Sequence, residues 1–292
     1  MKKVLVLGGT RFFGQHLVKT LLEKGMDVTL ATRGRSQDPF GDSVKRVTID
    51  RTDKTSLLEA FKDQEWDIIY DQICYASQDA LDAVEVFEGK TKRYILTSSF
   101  SVYDKVEFAK TFTEEDFDPF HHDIIMGTRE DFTYDEGKCQ AEAVFFQKAP
   151  FPVVAVRIPI VLGENDYTER LKFYVEKVLK RREFYLQHKE TKMNFISEQE
   201  AGDFLAWLST QDYSGSVNAC ANGAIEIQEL IKYIEETTQQ SALYTNQEMD
   251  SPFERKYSWT MDTSKAQKWG YSFSNLEDWL PKLIDHIYQE LS

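Results

Sequence analysis

The chain has 292 residues, and 35 lysines and arginines against 49 aspartates and glutamates give a formal net charge of -14, an acidic balance that disfavours wholesale binding to a phosphate backbone. That length can bury a large core as one α/β unit or as a domain with a lobe. No stretch approaches the ~20 apolar residues that span a bilayer, the first apolar run is too short for a signal peptide, and Cys74, Cys139 and Cys220 are too scattered for a disulfide framework, so a cytoplasmic protein with reduced thiols and a small-molecule partner is expected.

Val4-Leu5-Val6-Leu7 is a continuous apolar run before glycines, the pattern of a strand buried on both faces. Phe13, Leu17, Val18, Leu21 and Leu22 follow at helical spacing, and Gly25 is placed to end that helix. DVTLAT and VKRVTI read as the second and third strands, SLLEAFKD as a helix, and WDIIYDQICYA as a fourth strand running into a loop. DALDAVEVFEG is a further helix, KRYILTSS a fifth strand, FPVVAVRIPIVLG a sixth and GSVNAC a later one. Strands alternating with helices from the first residue predict an α/β fold with a doubly wound parallel (Rossmann) sheet.

Residues 104–133 form a polar and aromatic insertion without clear periodicity, read as a lid over a substrate, with a homodimer contact as the alternative. Beyond Gly163 the segments TERLKFYVEKVLKRREF, IQELIKYIEETT and LEDWLPKLIDHIYQEL are charged and helical. The expected division is a dinucleotide-binding domain over 1–163, to which segments at about 191–222 return, and a smaller, mostly helical substrate lobe over 164–292. Trp259, Trp269 and Trp279 are expected in the core of that lobe. His121 and His122 are adjacent but lack the spaced partners a metal site needs.

The turn after the first strand reads Gly8-Gly9-Thr10-Arg11-Phe12-Phe13-Gly14. Between a strand and a helix, its backbone N–H groups and the helix N-terminus suit a pyrophosphate. Arg11 stands where a central glycine would let backbone approach the phosphates, leaving Gly8 and Gly9 to supply that approach and the guanidinium to reach over the cofactor. After the second strand come Arg33 and Arg35 and no acid; arginine forks suit a 2′-phosphate, so NADP(H) is favoured, with NAD(H) as the alternative. Asp50, ending the third strand, is placed to meet the adenine edge, and Asp53 to cap a helix.

Tyr134 and Lys138, four residues apart in YDEGK, fall on one helix face, and upstream the fifth strand ends in Thr97-Ser98-Ser99 before FSVYD. Together with the glycine turn, these motifs resemble the short-chain dehydrogenase/reductase superfamily, in particular its extended branch, the NAD-dependent epimerase/dehydratase family. VRIPIVLG, NFISEQEAGDFLAWL and DTSKAQKWGY extend the resemblance nearly end to end. It implies Tyr134 as the general acid/base and Lys138 as the ribose-holding cation that favours the tyrosinate. Ser99 would hydrogen-bond the substrate oxygen, with Thr97 and Ser98 as weaker candidates. The implied activity is reversible hydride transfer at a secondary alcohol or ketone of a sugar or sugar-nucleotide-like substrate, as an epimerase or a reductase.

This chain departs from the family pattern at several places. Ile160 and Met193, beside Lys192, stand where epimerases place an asparagine and an arginine for the substrate's phosphates. Ser99-Phe100-Ser101 replaces the dehydratases' Thr-Asp-Glu, and YDQICYA differs from the usual end of the fourth strand. The GGTRFxG turn is also similar to atypical members that include chloroplast RNA-binding relatives, so a non-catalytic cofactor sensor or RNA-binding module is the rival expectation.

Overall fold

The computed structural model describes residues 1–104 and 111–292; residues 105–110 of the insertion lie outside the described residues. The apolar run forms β1 (Lys3–Leu7), where Val4, Leu5, Val6 and Leu7 are fully buried. It leads through the glycine turn into α1 (Phe13–Glu23), β2 (Asp27–Thr32) and β3 (Lys45–Thr48). α2 (Lys54–Phe61) starts at Asp53, whose carboxylate accepts from the Thr55 amide, so the capping expectation holds. β4 (Ile68–Asp71), α3 (Ser77–Phe87) and β5 (Tyr94–Ser99) follow, then a two-residue β6 (Thr111–Phe112), α4 (Tyr134–Lys148) and β7 (Val153–Ile158).

The sixth strand expected from the sequence is two strands. Pro159 offers no N–H to continue the ladder, and β8 (Ile160–Leu162) leaves the sheet to pair with β11 (Phe195–Ser197). Between those two lie α5 (Arg170–Leu179), β9 (Phe184–Tyr185) and β10 (Lys192–Met193). Then come α6 (Glu198–Trp207), β12 (Gly215–Asn218), β13 (Ile225–Glu226), α7 (Ile227–Thr238), β14 (Tyr244–Thr245), β15 (Thr260–Met261), α8 (Ser264–Lys268) and α9 (Leu276–Leu291).

Seven strands form one sheet in the order β12-β7-β5-β4-β1-β2-β3, and each neighbouring pair is parallel. α1 and α6 cover one face through Leu17, Val18, Leu21, Phe204 and Leu205. α2, α3 and α4 cover the other through Leu57, Phe61, Val84, Phe87, Val144 and Phe145. The chain runs outward from β1 to β3, then returns to place β4 on the other side of β1. At that reversal the loops after β1 and β4 part, which opens a crevice at the carboxyl ends of the strands.

The C-terminal helices α5, α7 and α9 build a separate core from Tyr174, Val178, Leu230, Ile234, Leu280 and Ile284. Trp259 and Trp279 pack against it, as expected. Trp269 does not. It packs on the sheet-side core and stacks on Tyr213 with ring centroids 4.3 Å apart.

Candidate functional site

The glycine turn lies at the mouth of this crevice. Gly8 and Gly9 have φ of 99° and 83°, backbone that L side chains rarely adopt. A Cβ on Gly14 would stand 2.5 Å from Gln72 Oε1 and 2.9 Å from Gly9 Cα, so only glycine lets α1 begin this close to the turn. Phe12, the residue before α1, holds φ 51° while its ring is buried, a strained position for a bulky residue. Arg11 turns outward: its Nε donates to Ser36 Oγ at 3.1 Å and its guanidinium lies 5.8 Å from the Tyr167 ring centroid. Thr10 offers its carbonyl to Gln15 Nε2.

α4 opens with a reciprocal cap between Thr133 and Glu136, which makes Tyr134 the first helical residue and leaves it 52% exposed. Lys138, one turn on, is buried, and its Nζ donates to the carbonyls of Cys74 and Thr97, both at 2.9 Å. This joins α4 to the ends of β4 and β5. Gly137 permits it, because a Cβ there would stand 2.2 Å from the Tyr75 carbonyl oxygen. An ammonium with two carbonyl acceptors keeps a third N–H to offer. Ser99 is nearly buried, and its Oγ accepts from the Ser101 amide, which leaves its O–H to donate. Ser98 is turned away, donating to Glu142.

Phe12 and Phe13 of the glycine turn share one crevice of about 600 Å³ with Thr97, Ser98, Ser99, Tyr134 and Lys138. The structure therefore brings together the two motifs that the sequence spaces more than a hundred residues apart. It also adds residues that sequence reasoning missed. Gln72 lies against the turn, and its buried Nε2 has no hydrogen-bond partner among the described residues. A glycine cradle that a Cβ would fill, an unpartnered buried amide and the spare Lys138 donor fit a dinucleotide at this site. Tyr75, Arg129, Asp104, Arg255 and Trp259 also line the crevice. Ile160 lines it as well, an apolar surface where the family pattern has an amide, while Met193 is fully buried in the lobe core.

The described part of the insertion is hydrogen-bonded to α3, α4 and β7. Arg157 donates to the carbonyls of Glu114 (2.8 Å) and Phe117 (3.1 Å). Gln147 holds Pro119 and His122, Gln140 holds Asp123 and Ile125, and Ser77 bonds both Ile125 and Gly127. Arg157 and Glu142 are themselves a fully buried ion pair at 2.6 Å.

At the far end, Arg33, Arg35 and Asp50 are exposed. The Asp50 carboxyl sits below its ordinary range, first because Thr52 donates to it twice and then because Arg33 and Arg35 are near. The hollow beyond β2 is lined instead by Thr10, Thr32, Ser36, Asp38 and Arg46, the last two paired at 2.6 Å; neither Arg33 nor Arg35 lines it.

The model of the NAD dependent epimerase/dehydratase family matches residues 4–217. The chain is similar to a UDP-glucose 4-epimerase of Thermus thermophilus solved with NAD, with TM-score 0.74 and 17% identity over 98% of both chains. It is also similar to a dTDP-glucose 4,6-dehydratase of Bacillus anthracis solved with NAD, with TM-score 0.78 and 15% identity over 99% of this chain and 97% of that one. At such identities the likeness carries the fold. A stretch of 133 residues is 31% identical to the chloroplast stem-loop binding protein of 41 kDa b of Arabidopsis thaliana, covering 40% of this chain and 34% of that protein. The expectation of NADP(H) is corrected: NAD is the dinucleotide in both of these solved structures, and the geometry gives the reason. Arg33 and Arg35 lie beside Asp50 rather than in the hollow beyond β2, and Arg46, which lines that hollow, is committed to Asp38.

Proposed function

We propose that this chain, which belongs to the NAD dependent epimerase/dehydratase family, is an NAD-dependent enzyme that transfers hydride at a secondary alcohol or ketone of a sugar or sugar-nucleotide-like substrate. The observation that carries this reading is the single crevice shared by the glycine turn and Tyr134.

The amides of Gly8 and Gly14 are bonded to the Ala31 and Arg11 carbonyls. Those of the turn between them, from Gly9 to Phe13, would hold the diphosphate, as a strand-to-helix turn with its helix N-terminus can. Gln72 Nε2 supplies a donor beside them. The third N–H of Lys138 would be available to a ribose hydroxyl, its other two being committed to Cys74 and Thr97. The dinucleotide, when bound, supplies the hydride chemistry. Ser99 donates its O–H to the reacting oxygen of the substrate. Tyr134, open to the crevice, takes the proton from that oxygen when a carbonyl forms and returns it when an alcohol forms. No carboxylate occupies Phe100 or Ser101, so the strand end offers no acid for expelling water.

Replacing Tyr134 by Phe tests the assignment: NAD affinity is expected to stay within about twofold while turnover falls by about 10²–10⁴-fold. Unchanged turnover would remove Tyr134 from the chemistry. A second reading, RNA binding, has the partial match to the stem-loop binding protein in its favour. The net charge of -14 weighs against it. Tight RNA retention in a filter assay at physiological salt would favour that reading.

A further inference from the structure

The charges on the crevice wall are unlike those of the chain as a whole. Against a net charge of -14, the wall carries Arg129, Lys138, Arg170 and Arg255, with Asp104 as the one carboxylate among its described lining residues. Lys138 is committed to two carbonyls. Arg255 lies over the Trp259 ring at 4.4 Å and within the field of Asp104.

Arg129 and Arg170 make no hydrogen bond or ion pair among the described residues, and Arg129 is the one that lies beside the Tyr75 and Tyr134 rings. Its guanidinium lies 4.6 Å from the Tyr75 ring centroid, and the Tyr75 ring in turn lies 6.2 Å from that of Tyr134. Among the described residues no carboxylate lies in ion-pair distance of it, and the neighbouring Asp131 is occupied in capping Thr128. The segment that carries Arg129 is pinned on both sides, through Gly127 to Ser77 and Gln78 and through Thr133 to Glu136. A preorganised guanidinium with free N–H donors, on an aromatic shelf beside the proposed acid/base, is suited to a planar or tetrahedral anion.

We propose that Arg129 determines specificity by binding an anionic group, a carboxylate or a phosphate, on the sugar portion of the substrate. This rests on the hydride-transfer reading of the same site. It places the anion close to the reacting carbon, in the crevice that Arg129 and Tyr134 both line.

The test is calorimetric titration of NAD-loaded wild type, Arg129→Gln and Arg129→Lys with glucuronate, glucose 6-phosphate, inorganic phosphate and glucose. The charged sugars are expected to bind at least about tenfold more tightly than glucose, as a charge-assisted arginine contact gives. In Arg129→Gln the gap should close to within about twofold, and Arg129→Lys should keep part of it. NAD affinity should be the same in all three proteins. The glucuronate and phosphate arms tell a carboxylate reader from a phosphate reader. Equal affinity for charged and neutral sugars, or a preference that survives Arg129→Gln, overturns the inference. So does a loss of NAD affinity in Arg129→Gln, which would put the guanidinium on the cofactor. A wild-type protein that binds no NAD would sink the hydride-transfer reading itself, and the inference with it.

Discussion

Lys138 Nζ stands 5.8 Å from the centroid of the Tyr134 ring, one turn further along α4. Its two buried bonds to Cys74 and Thr97 fix that ammonium in place, and the same bonds tie α4 to the ends of β4 and β5. Lys138→Met would leave both carbonyls without a donor, at about 1–3 kcal/mol for each buried group left unpaired. Denaturant unfolding should show that loss, and NAD affinity should fall by about tenfold with the ribose donor gone. Lys138→Arg should not restore binding, since a planar fork does not reproduce three donors converging from a point.

Cofactor choice follows from the hollow beyond β2. With Arg46 paired to Asp38 there, calorimetry should show NAD(H) binding more tightly than NADP(H). Removing the charge in Asp38→Asn should narrow the difference, because Arg46, now paired with Asp38, is released to meet a 2′-phosphate. If Arg33 and Arg35 governed the choice instead, Asp38→Asn would leave the ratio unchanged.

Asp104 gives the crevice a pH response. Burial, reinforced by the charge of Asp135 and opposed by Arg255, pushes its carboxyl up to about 7 from the ordinary 3.8. The folded protein therefore binds more protons at this site than the unfolded chain between those two values, and stability contributed here falls as pH rises from about 4 to about 7. The residue as a whole is exposed, so solvent screens this shift and the effect is a small one. Thermal melts across that range should show a shallower decline for Asp104→Asn than for wild type; identical slopes would contradict the assignment.

Arg157 and Glu142 are both fully buried and hydrogen-bonded to each other, and Arg157 also holds Tyr103 and the start of the insertion. Removing one partner, as in Arg157→Met, leaves an uncompensated charge and should cost about 3–5 kcal/mol. The double variant Arg157→Met/Glu142→Leu should recover a large part of that in denaturant midpoint. A single variant of unchanged stability would show that the pair does not hold the insertion.

The glycine turn, Tyr134 and Lys138 are legible in the sequence because their spacing in the chain is itself the chemistry: a turn needs glycine at fixed positions, and one helical turn separates an acid from its cation. The doubly wound sheet is legible from apolar runs between helical segments. Pro159 is present in the apolar run of the sixth strand, yet its effect, sending β8 to pair with β11, depends on a partner from beyond residue 190. Arg33 and Arg35 invite a reading from local charge alone. Asp50 and Asp38, which change their meaning, come from just past the end of β3 and from the loop after β2. Gln72, Tyr75 and Arg129 carry no periodic signal. They reach the crevice only because β4 crosses to the far side of β1 and because Gly137 lets the following loop lie against α4.

The most direct measurement is a crystal structure of the protein grown with NAD. The account predicts the diphosphate on the amides between Gly9 and Phe13, a ribose hydroxyl on Lys138 Nζ and the nicotinamide ring facing the Tyr134 phenol. Density for NAD outside this crevice, or a nicotinamide turned away from Tyr134, would contradict it.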